Sequence, residues 1–240
     1  MGSRVIWCLG MYASASTWML NAVREIQVAS GQKDLAIQFV RDTINPNMLA
    51  MKHAIRVIKS HEIIEEATLL ALAGRADTIL ITIRDALDAV ASVMEYQRIQ
   101  FEPALELVKQ SGSLCLDYLK DRRTTCFVYE TKFFDDPATM LTLARIMGVS
   151  LSPKAAQKCF DRLRRAAVET FIAKLPHQKG ALRDLVSGDY LDPVTQWHSH
   201  HAGRSGEIGR WRQMLAADQV REIQALPQTG RISRCIENAL

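Results

Sequence analysis

The sequence VIWCLGMYASASTWMLN, residues 5–21, predicts the fold around which the rest of the chain is arranged. It opens with a short run rich in β-forming residues, Arg4 to Leu9, which Gly10 bounds and which is typical of a buried first strand. Only small residues follow from Ala13 to Thr17, and three of them carry a hydroxyl group. Apolar residues then recur at helical spacing from Trp18 to Gln27. The stretch therefore predicts a strand, a tight loop and a helix in direct succession.

A small-residue loop between a strand and a helix is suited to holding a phosphate group. Its backbone amides and the positive end of the helix dipole converge on one point, where hydroxyl groups add further donors. The nucleotide triphosphate-binding loop, Gly-x4-Gly-Lys-Ser/Thr, is absent, because the stretch has neither a second glycine nor a lysine at the helix start. Packing alone can also favour such a turn, so both interpretations stay open at this point.

Length and composition fit one α/β domain, since the chain has 240 residues of which 48% are hydrophobic. No apolar run approaches the ~20 residues that span a bilayer, and no charged leader precedes an apolar block. We therefore expect neither a transmembrane segment nor a signal peptide. Five scattered cysteines favour reduced thiols in the cytoplasm, and no Cys-x-x-Cys spacing suggests zinc. The net charge of +4 fits an anionic cofactor better than nucleic acid.

Lys59, Ser60 and His61 lie at the predicted end of a strand. A candidate second strand covers residues 34–40, and the β-branched run that begins at Ala54 ends in these three polar residues. An amphipathic helix is predicted from about Glu62 to Ala73. Ligands of a parallel α/β sheet bind beyond the carboxyl ends of its strands, so these side chains are candidates for a site. A solvated strand end without a chemical role is the alternative.

Arg84 lies at the end of the clearest buried strand, Thr78 to Ile83. Its planar guanidinium group is suited to phosphate oxygens. A helix is predicted to start at Asp85, and Ser92 lies about two turns into it. The hydroxyl group of Ser92 is a second candidate phosphate ligand, with simple helix packing as the alternative.

The middle of the chain continues the alternation of helices and strands. Residues 95–121 have a mostly helical pattern that is interrupted near Gly112, and a strand is predicted from Thr125 to Tyr129. Asp136-Pro137 is typical of a helix start, and Gly148 of the end of that helix.

The next predicted helix begins at Ser152-Pro153 and carries a basic stripe, Lys154, Lys158, Arg162 and Arg165. Such a stripe is usually a solvated face, and attraction for an anionic acceptor or membrane surface is the alternative. Residues 174–206 are irregular and predict a long loop or lid over an acceptor site. Within it, His198, His200 and His201 do not favour a metal site, because no carboxylate or cysteine stands at ligand spacing.

The opening loop resembles the phosphosulfate-binding loop of the sulfotransferases, which use 3′-phosphoadenosine-5′-phosphosulfate (PAPS) as donor. The family loop runs roughly Pro-Lys-Ser-Gly-Thr-Thr-Trp, and Tyr12 to Trp18 falls in register with it. Two positions depart from the family. Ala13 stands where Lys or Arg is usual, and Ala15 stands where Gly is usual.

Later segments resemble further sulfotransferase motifs in the family's order. Lys59-Ser60-His61 is similar to the family's Lys-Thr-His. Arg84, Asp88 and Ser92 fall on Arg-Asn/Asp-Pro-x-Asp-x-x-x-Ser, with Ala86 in place of Pro. Tyr129-Glu130, ahead of Asp136-Pro137, resembles the segment Arg-Tyr-Glu-Asp-Leu-x-x-Asp-Pro. Residues 201–212 resemble the late loop Arg-Lys-Gly-x-x-Gly-x-Trp through Gly203, Gly206 and Trp211, although His201-Ala202 replace the basic pair.

The resemblance implies a role for each matched residue. His61 would be the general base, and Lys59 would stabilise the transferring group. The donor would contact the opening loop, whose residues are Ala13, Ser14, Ala15, Ser16, Thr17 and Trp18. Arg84 and Ser92 would hold the 3′-phosphate, and Tyr129 would lie against the adenine. Gly203 and Arg204 would close over the same phosphate, with Arg204 supplying the missing positive charge.

The sequence thus predicts a single α/β domain over residues 1–240, with a mostly parallel central sheet flanked by helices and a P-loop-like sulfotransferase fold. The implied enzyme is cytoplasmic and moves a sulfuryl group from PAPS to a hydroxyl or amine group of a small-molecule, glycan or lipid acceptor, without a metal. The alternative is a catalytically inactive nucleotide-binding or regulatory module of the same fold, which the missing lysine at Ala13 favours. A kinase fits less well, because the triphosphate loop and a clear magnesium carboxylate are lacking.

Overall fold

The computed structural model describes residues 3–40, 54–63, 65–183, 188–198 and 206–240. Its central sheet consists of β1 (Arg4–Gly10), β2 (Leu35–Phe39), β3 (Ile55–Ser60), β4 (Thr78–Ile83) and β5 (Thr124–Val128). These five strands are parallel and lie in the order β2-β3-β1-β4-β5. A small antiparallel pair, β6 (Leu182–Arg183) and β7 (Tyr190–Leu191), lies outside this sheet.

Within the described residues, helices connect β1 to β2, β3 to β4 and β4 to β5, and further helices follow β5. The first four are α1 (Ser16–Ala29), α2 (Glu66–Arg75), α3 (Ala86–Gln97) and α4 (Phe101–Tyr118). The later ones are α5 (Ala138–Ile146), α6 (Pro153–Asp161), α7 (Arg165–Lys174), α8 (Trp211–Met214), α9 (Ala217–Ala225) and α10 (Pro227–Glu237). Short 3₁₀ turns cover Tyr129–Thr131, Phe133–Asp135 and Leu175–His177. The predicted parallel sheet flanked by helices is therefore confirmed.

The central strand β1 feeds two apolar cores, one on each face of the sheet. Trp7 and Leu9 join one cluster, which includes buried residues of α3 and α4. Ile6 and Cys8 join the other, which includes residues of α1, α5 and α6. Because successive strand residues point to opposite faces, this alternation buries both sides of the sheet.

The strand register brings three strand ends to one edge of the sheet. Leu9 pairs with Ser60 of β3, and Gly10 pairs with Thr82 of β4. A side chain at Gly10 would clash with the Cβ atom of Ser16 and would lie 2.8 Å from Thr82 Oγ1. Glycine is therefore required where the chain leaves β1, because α1 starts directly against the strand.

The five predicted strands lie where expected, but three predictions about helices were wrong. The helix predicted from about Glu62 begins at Glu66, so Glu62 lies in the connection that follows β3. The predicted interruption near Gly112 is also wrong, because the break lies at Arg98, which takes a left-handed conformation with φ 56°. Gly112 lies inside α4, where a Cβ atom would come within 3.3 Å of Ile232 Cδ1, so close packing explains the glycine.

The basic stripe does not lie along one helix. Lys154 and Lys158 are exposed on α6, whereas Arg165 begins α7. Arg162 lies between the two helices and forms a 2.7 Å ion pair with Glu25 of α1. The sequence suggested a continuous face because these four basic residues recur at steps of three and four, which is the period of a helix.

Candidate active site

A cavity of about 360 Å³ opens at the carboxyl edge of the sheet, beyond β1, β3 and β4. This is the edge at which parallel α/β sheets bind ligands, and the volume falls within the usual range for small-molecule sites. Most of the described site residues that the sequence predicts line it: Ala13, Ser14, Ala15, Ser16, Thr17, Trp18, His61, Arg84, Ser92 and Tyr129.

The loop after β1 takes a conformation that glycine would normally provide. Ala13 and Ala15 have φ angles of 59° and 65°, in the left-handed region. Ser14, between them, is fully buried, and its hydroxyl group lies 2.6 Å from the Met11 carbonyl oxygen and 2.7 Å from Thr82 Oγ1. The Ser14 hydroxyl group therefore holds the loop against β4, which leaves Ser16 and Thr17 as the more available hydroxyl groups.

The N-terminus of α1 lies at the cavity. No side chain of the described residues caps its first turn, which also carries no acidic residue. The first backbone N–H groups of a helix have no partners within the helix, and the helix dipole makes them attractive to an anion. The Trp18 indole Nε1 is buried in the same turn without a hydrogen-bond partner among the described residues. This end of the cavity thus offers several donors to a phosphate or sulfate group.

Lys59 lies behind this loop rather than on the cavity wall. Its side chain is buried, and Nζ donates a 2.7 Å hydrogen bond to Thr17 Oγ1. Burial lowers the pKa of Lys59 from its usual range to about 7. An anion bound by the Thr17 loop would favour the charged form, so ligand binding and protonation of Lys59 are expected to be coupled.

His61 has one ring nitrogen committed to the backbone. Its Nδ1 atom lies 2.6 Å from the Gly10 carbonyl oxygen, which can only accept a hydrogen bond, so Nδ1 carries the hydrogen of the neutral ring. Burial, followed by the charge of Lys59, lowers the pKa of His61 to about 3. The imidazole is therefore neutral near pH 7, and its Nε2 atom is the one that can accept a proton.

Arg84 joins the first loop to the last part of the chain. It is 2% exposed, and its guanidinium group donates to the Ala13 carbonyl oxygen at 3.2 Å and to the Glu207 carbonyl oxygen at 3.1 Å. The same group lies over the Tyr129 ring, 4.2 Å from its centroid. Arg84, Tyr129 and the segment at Glu207 therefore form one contiguous wall, and Ser92 also lines the cavity.

Asp88 and Tyr129 hold the segment that follows residue 205. The two carboxylate oxygens of Asp88 accept hydrogen bonds from the Gly209 and Trp211 amides, at 2.6 and 3.1 Å. The Tyr129 hydroxyl group donates to the Gly206 carbonyl oxygen at 2.9 Å. Gly206, Gly209 and Trp211 have the spacing Gly-x-x-Gly-x-Trp of the late loop that the sequence resembles, and Arg204 stands two residues before this first glycine. The predicted ligands Gly203 and Arg204 lie outside the described residues.

Several cavity residues were not singled out from the sequence. They are Tyr96, Phe134, Asp135, Leu163, Val168, Glu169, Trp197 and Glu207, whereas Gly206 of the late-loop motif and Arg165 of the basic stripe also line the cavity. Trp197 comes from the irregular segment predicted as a lid. In this segment the Asp192 carboxylate accepts a hydrogen bond from the Thr195 amide and so holds a turn. Asn21 Nδ2 of α1 donates a 2.7 Å hydrogen bond to the Thr195 carbonyl oxygen, which ties the turn to the helix. No periodicity could predict this placement, because it depends on contacts between distant parts of the chain.

No group of three metal-binding side chains forms among the residues that the structure describes. His198 is described and pairs with Leu191, whereas His200 and His201 lie outside the described residues. Within the described ranges, no helix combines the length and the apolar character that crossing a bilayer requires.

The fold defined by this sheet and cavity is that of the sulfotransferases. No protein-family model matches the sequence, and no curated protein sequence matches it. Among solved structures, mouse sulfotransferase SULT7A1 complexed with PAP aligns with a TM-score of 0.67 and 11% identity, over 99% of this chain and 88% of that one.

Retinol dehydratase has a similar structure. Its complex with androsterone and the inactive cofactor PAP aligns with a TM-score of 0.58 and 14% identity, over 92% of this chain and 78% of that one. Its complex with retinol and PAP aligns with a TM-score of 0.57 and 13% identity, over 93% and 80%. At these identities the similarity establishes the fold.

Proposed function

We propose that the protein is a PAPS-dependent sulfotransferase, which moves a sulfuryl group to a hydroxyl or amine group and leaves 3′,5′-bisphosphoadenosine (PAP). The observation that carries this proposal is the convergence of the phosphosulfate-loop residues, His61, Arg84 and Ser92 on one cavity. Three separate sequence motifs contribute these residues, and packing alone gives no reason for all of them to meet there.

The two ends of the cavity suit the two anionic ends of the donor. The uncapped start of α1, with the hydroxyl groups of Ser16 and Thr17, would receive the 5′-phosphosulfate. Arg84 and Ser92 would receive the 3′-phosphate, since a guanidinium group binds phosphate oxygens with two parallel hydrogen bonds. Tyr129 would lie against the adenine. The three solved structures described above are complexes with PAP, which supports the same nucleotide here.

The transfer step assigns separate tasks to His61 and Lys59. His61 Nε2 takes the proton of the acceptor hydroxyl group as the acceptor oxygen bonds to sulfur. The bond between sulfur and the bridging oxygen breaks, and its electron pair stays on the 5′-phosphate of PAP. Lys59, one hydrogen bond behind Thr17, stabilises the negative charge that develops on that oxygen.

Among the positions that differ from the sulfotransferase motifs, Ala13 bears most on this assignment, because the family usually has Lys or Arg there. It provides no positive charge, and its carbonyl oxygen instead accepts a hydrogen bond from Arg84. Lys59 is hydrogen-bonded to Thr17 at the helix end of the loop, and Arg84 is assigned to the 3′-phosphate, so we infer that Lys59 carries most of the electrostatic task. The same departure favours a second candidate function, a nucleotide-binding module that has lost transfer activity.

The acceptor is proposed to be a small molecule. The retinol dehydratase structures contain androsterone and retinol, both apolar, and this cavity is lined by apolar rings as well as donors. Glycan and lipid acceptors remain compatible with the same chemistry, because one fold serves many acceptors.

Two measurements on the purified protein test the proposal. Calorimetry is expected to show binding of PAP by both the wild type and His61→Ala, since His61 belongs to the transfer step. A donor-consumption assay with PAPS over a panel of alcohols and amines is expected to show turnover in the wild type alone. PAP binding without turnover on any acceptor would favour the inactive module, and absence of PAP binding would refute both candidates.

A further inference from the structure

We propose that Tyr12 and Glu62 form a brace that holds the His61 imidazole in its reactive orientation, which makes both of them positioning residues. The proposal rests on the proposed role of His61 as the general base. No motif singled out either residue, because neither falls on a position to which the sequence resemblance gives a role.

The first part of the brace is a stacked ring pair. The Tyr12 and His61 rings lie 4.2 Å apart between centroids, with an angle of 14° between their planes. Both side chains are 8% exposed. A ring of this size against one face of the imidazole restricts its rotation, and such pairs stabilise a defined geometry beyond simple burial.

The second part fixes the Tyr12 ring itself. The Tyr12 hydroxyl group donates a 3.1 Å hydrogen bond to Glu62 Oε1, and the Tyr12 amide donates a 3.2 Å hydrogen bond to Ser111 Oγ. Glu62 follows His61 directly in the chain and is 6% exposed. The hydrogen bond therefore ties the far end of the tyrosine to the residue next to the histidine.

The remaining contacts of His61 complete its orientation. Nδ1 donates to the Gly10 carbonyl oxygen at 2.6 Å, and the Phe39 ring meets the imidazole edge-on at a centroid distance of 6.2 Å. Lys59 is the charged group that lowers the pKa of His61 electrostatically. With one nitrogen on the backbone and one face on Tyr12, Nε2 is left as the atom that serves the cavity.

The phosphosulfate-loop motif of the sulfotransferases does not itself provide the residues of this brace. Tyr12 stands where the phosphosulfate loop that the sequence resembles has proline, which offers neither an aromatic ring nor a hydroxyl group. The structure therefore assigns to the first loop a second task, which is to orient the base.

The test compares variants that remove one part of the brace at a time. Tyr12→Phe removes the hydrogen bond, Glu62→Gln replaces its charged acceptor with a neutral one, the double variant combines the two changes, and Tyr12→Leu also removes the stacked ring. Tyr118→Phe is the matched control, since Tyr118 packs on Trp7 in the core, away from the cavity. The readouts are kcat, KM for PAPS, the PAP dissociation constant, and the ¹⁵N shifts of the His61 ring, assigned with His61→Gln.

A positioning role predicts a specific pattern. Tyr12→Leu is expected to lower kcat about 10-fold or more, because small misplacements of a reacting group are costly. Tyr12→Phe and Glu62→Gln are expected to lower kcat about 3-fold each, with the double variant no worse than either, because they share one hydrogen bond. The PAP dissociation constant is expected to stay within about 2-fold of the wild type in all of these variants, since the proposed brace does not contact the nucleotide.

The NMR readout separates this proposal from the proposed function. In the wild type, a single tautomer with hydrogen on Nδ1 is expected, and Tyr12→Leu is expected to show a mixture. If the wild type has no turnover, the proposed function fails, and the ¹⁵N shifts alone decide the brace. An unchanged tautomer in Tyr12→Leu, or an equal loss of kcat in Tyr118→Phe, would overturn the brace.

Discussion

The cavity has two walls of different origin. One wall comes from the ends of β1, β3 and β4, where Gly10, Ser60 and Thr82 lie side by side through the sheet register. The other comes from the irregular chain after β5, which places Trp197 and Glu207 against the same space. The strand-end wall holds the groups to which we assign the chemistry, and the second wall holds groups that line and cover the same cavity. A regular sheet thus positions the proposed reacting groups, whereas the covering groups depend on long-range contacts.

The largest effect is expected at Lys59, which lies directly behind the strand-end wall and is hydrogen-bonded to Thr17. Lys59→Ala removes the cation next to the Thr17 loop, and loss of one positioned electrostatic donor typically costs ~10²–10³ in rate. We expect a fall of that size in kcat, measured by donor consumption. Lys109→Ala, on the exposed surface of α4, is the control. Nearly full activity in Lys59→Ala would show that another cation acts at the loop.

A smaller effect is expected on the covering wall, at Trp197. Trp197→Ala removes a ring that is 9% exposed and lines the cavity. We expect the PAP dissociation constant to rise about 10-fold, the size typical for truncation of a large buried aromatic residue at a binding site, with kcat at saturation little changed. Val194→Ala, at an exposed position of the same turn, is the control. A loss of kcat as large as that of Lys59→Ala would contradict the division between the two walls.

The pH dependence of stability tests the buried state of the strand-end wall. The pKa of His61 is lowered from 6.5 to about 3, so below pH 6.5 the unfolded chain binds a proton that the folded protein does not. The free energy of unfolding is therefore expected to fall as the pH drops from 6.5 towards 3, and His61→Gln is expected to reduce this slope.

Urea unfolding across this pH range measures the effect, with His177→Gln, on an exposed 3₁₀ turn, as control. Identical slopes for the wild type and His61→Gln would contradict the burial of a neutral imidazole.

The smallest effect is expected at Ala15, where the loop takes a left-handed conformation. Ala15→Gly relieves a φ angle of 65° and is expected to stabilise the protein by about 1 kcal/mol, the usual cost of this conformation in a residue with a Cβ atom. Ala36→Gly, in strand β2, is the control and is expected to destabilise it. Thermal unfolding measures both. A lower unfolding temperature for Ala15→Gly would show that the loop is not strained.

The two walls also differ in how far the sequence predicts them. Short apolar runs that end in polar residues identify β1, β3 and β4, and parallel strands bring their ends together, so His61 and Arg84 are predictable as members of one site. The Tyr12–Glu62 contact is not, because stacking and a hydrogen bond between residues 50 positions apart leave no periodic signal. The position of Trp197 in the cavity is not predictable for the same reason, because it also depends on contacts between distant parts of the chain. The break at Arg98 was missed because arginine does not signal the left-handed conformation that ends the helix there, as glycine or asparagine would.

The most direct test of the account is the affinity for a nucleotide with and without its 3′-phosphate. Calorimetry would compare PAP with adenosine 5′-monophosphate in the wild type and in Arg84→Ala. The account predicts that the wild type binds PAP at least ~10-fold more tightly, in line with charge-assisted hydrogen bonds of about 1.5–3 kcal/mol, and that Arg84→Ala loses most of this preference. Equal affinity of the wild type for the two nucleotides would contradict it.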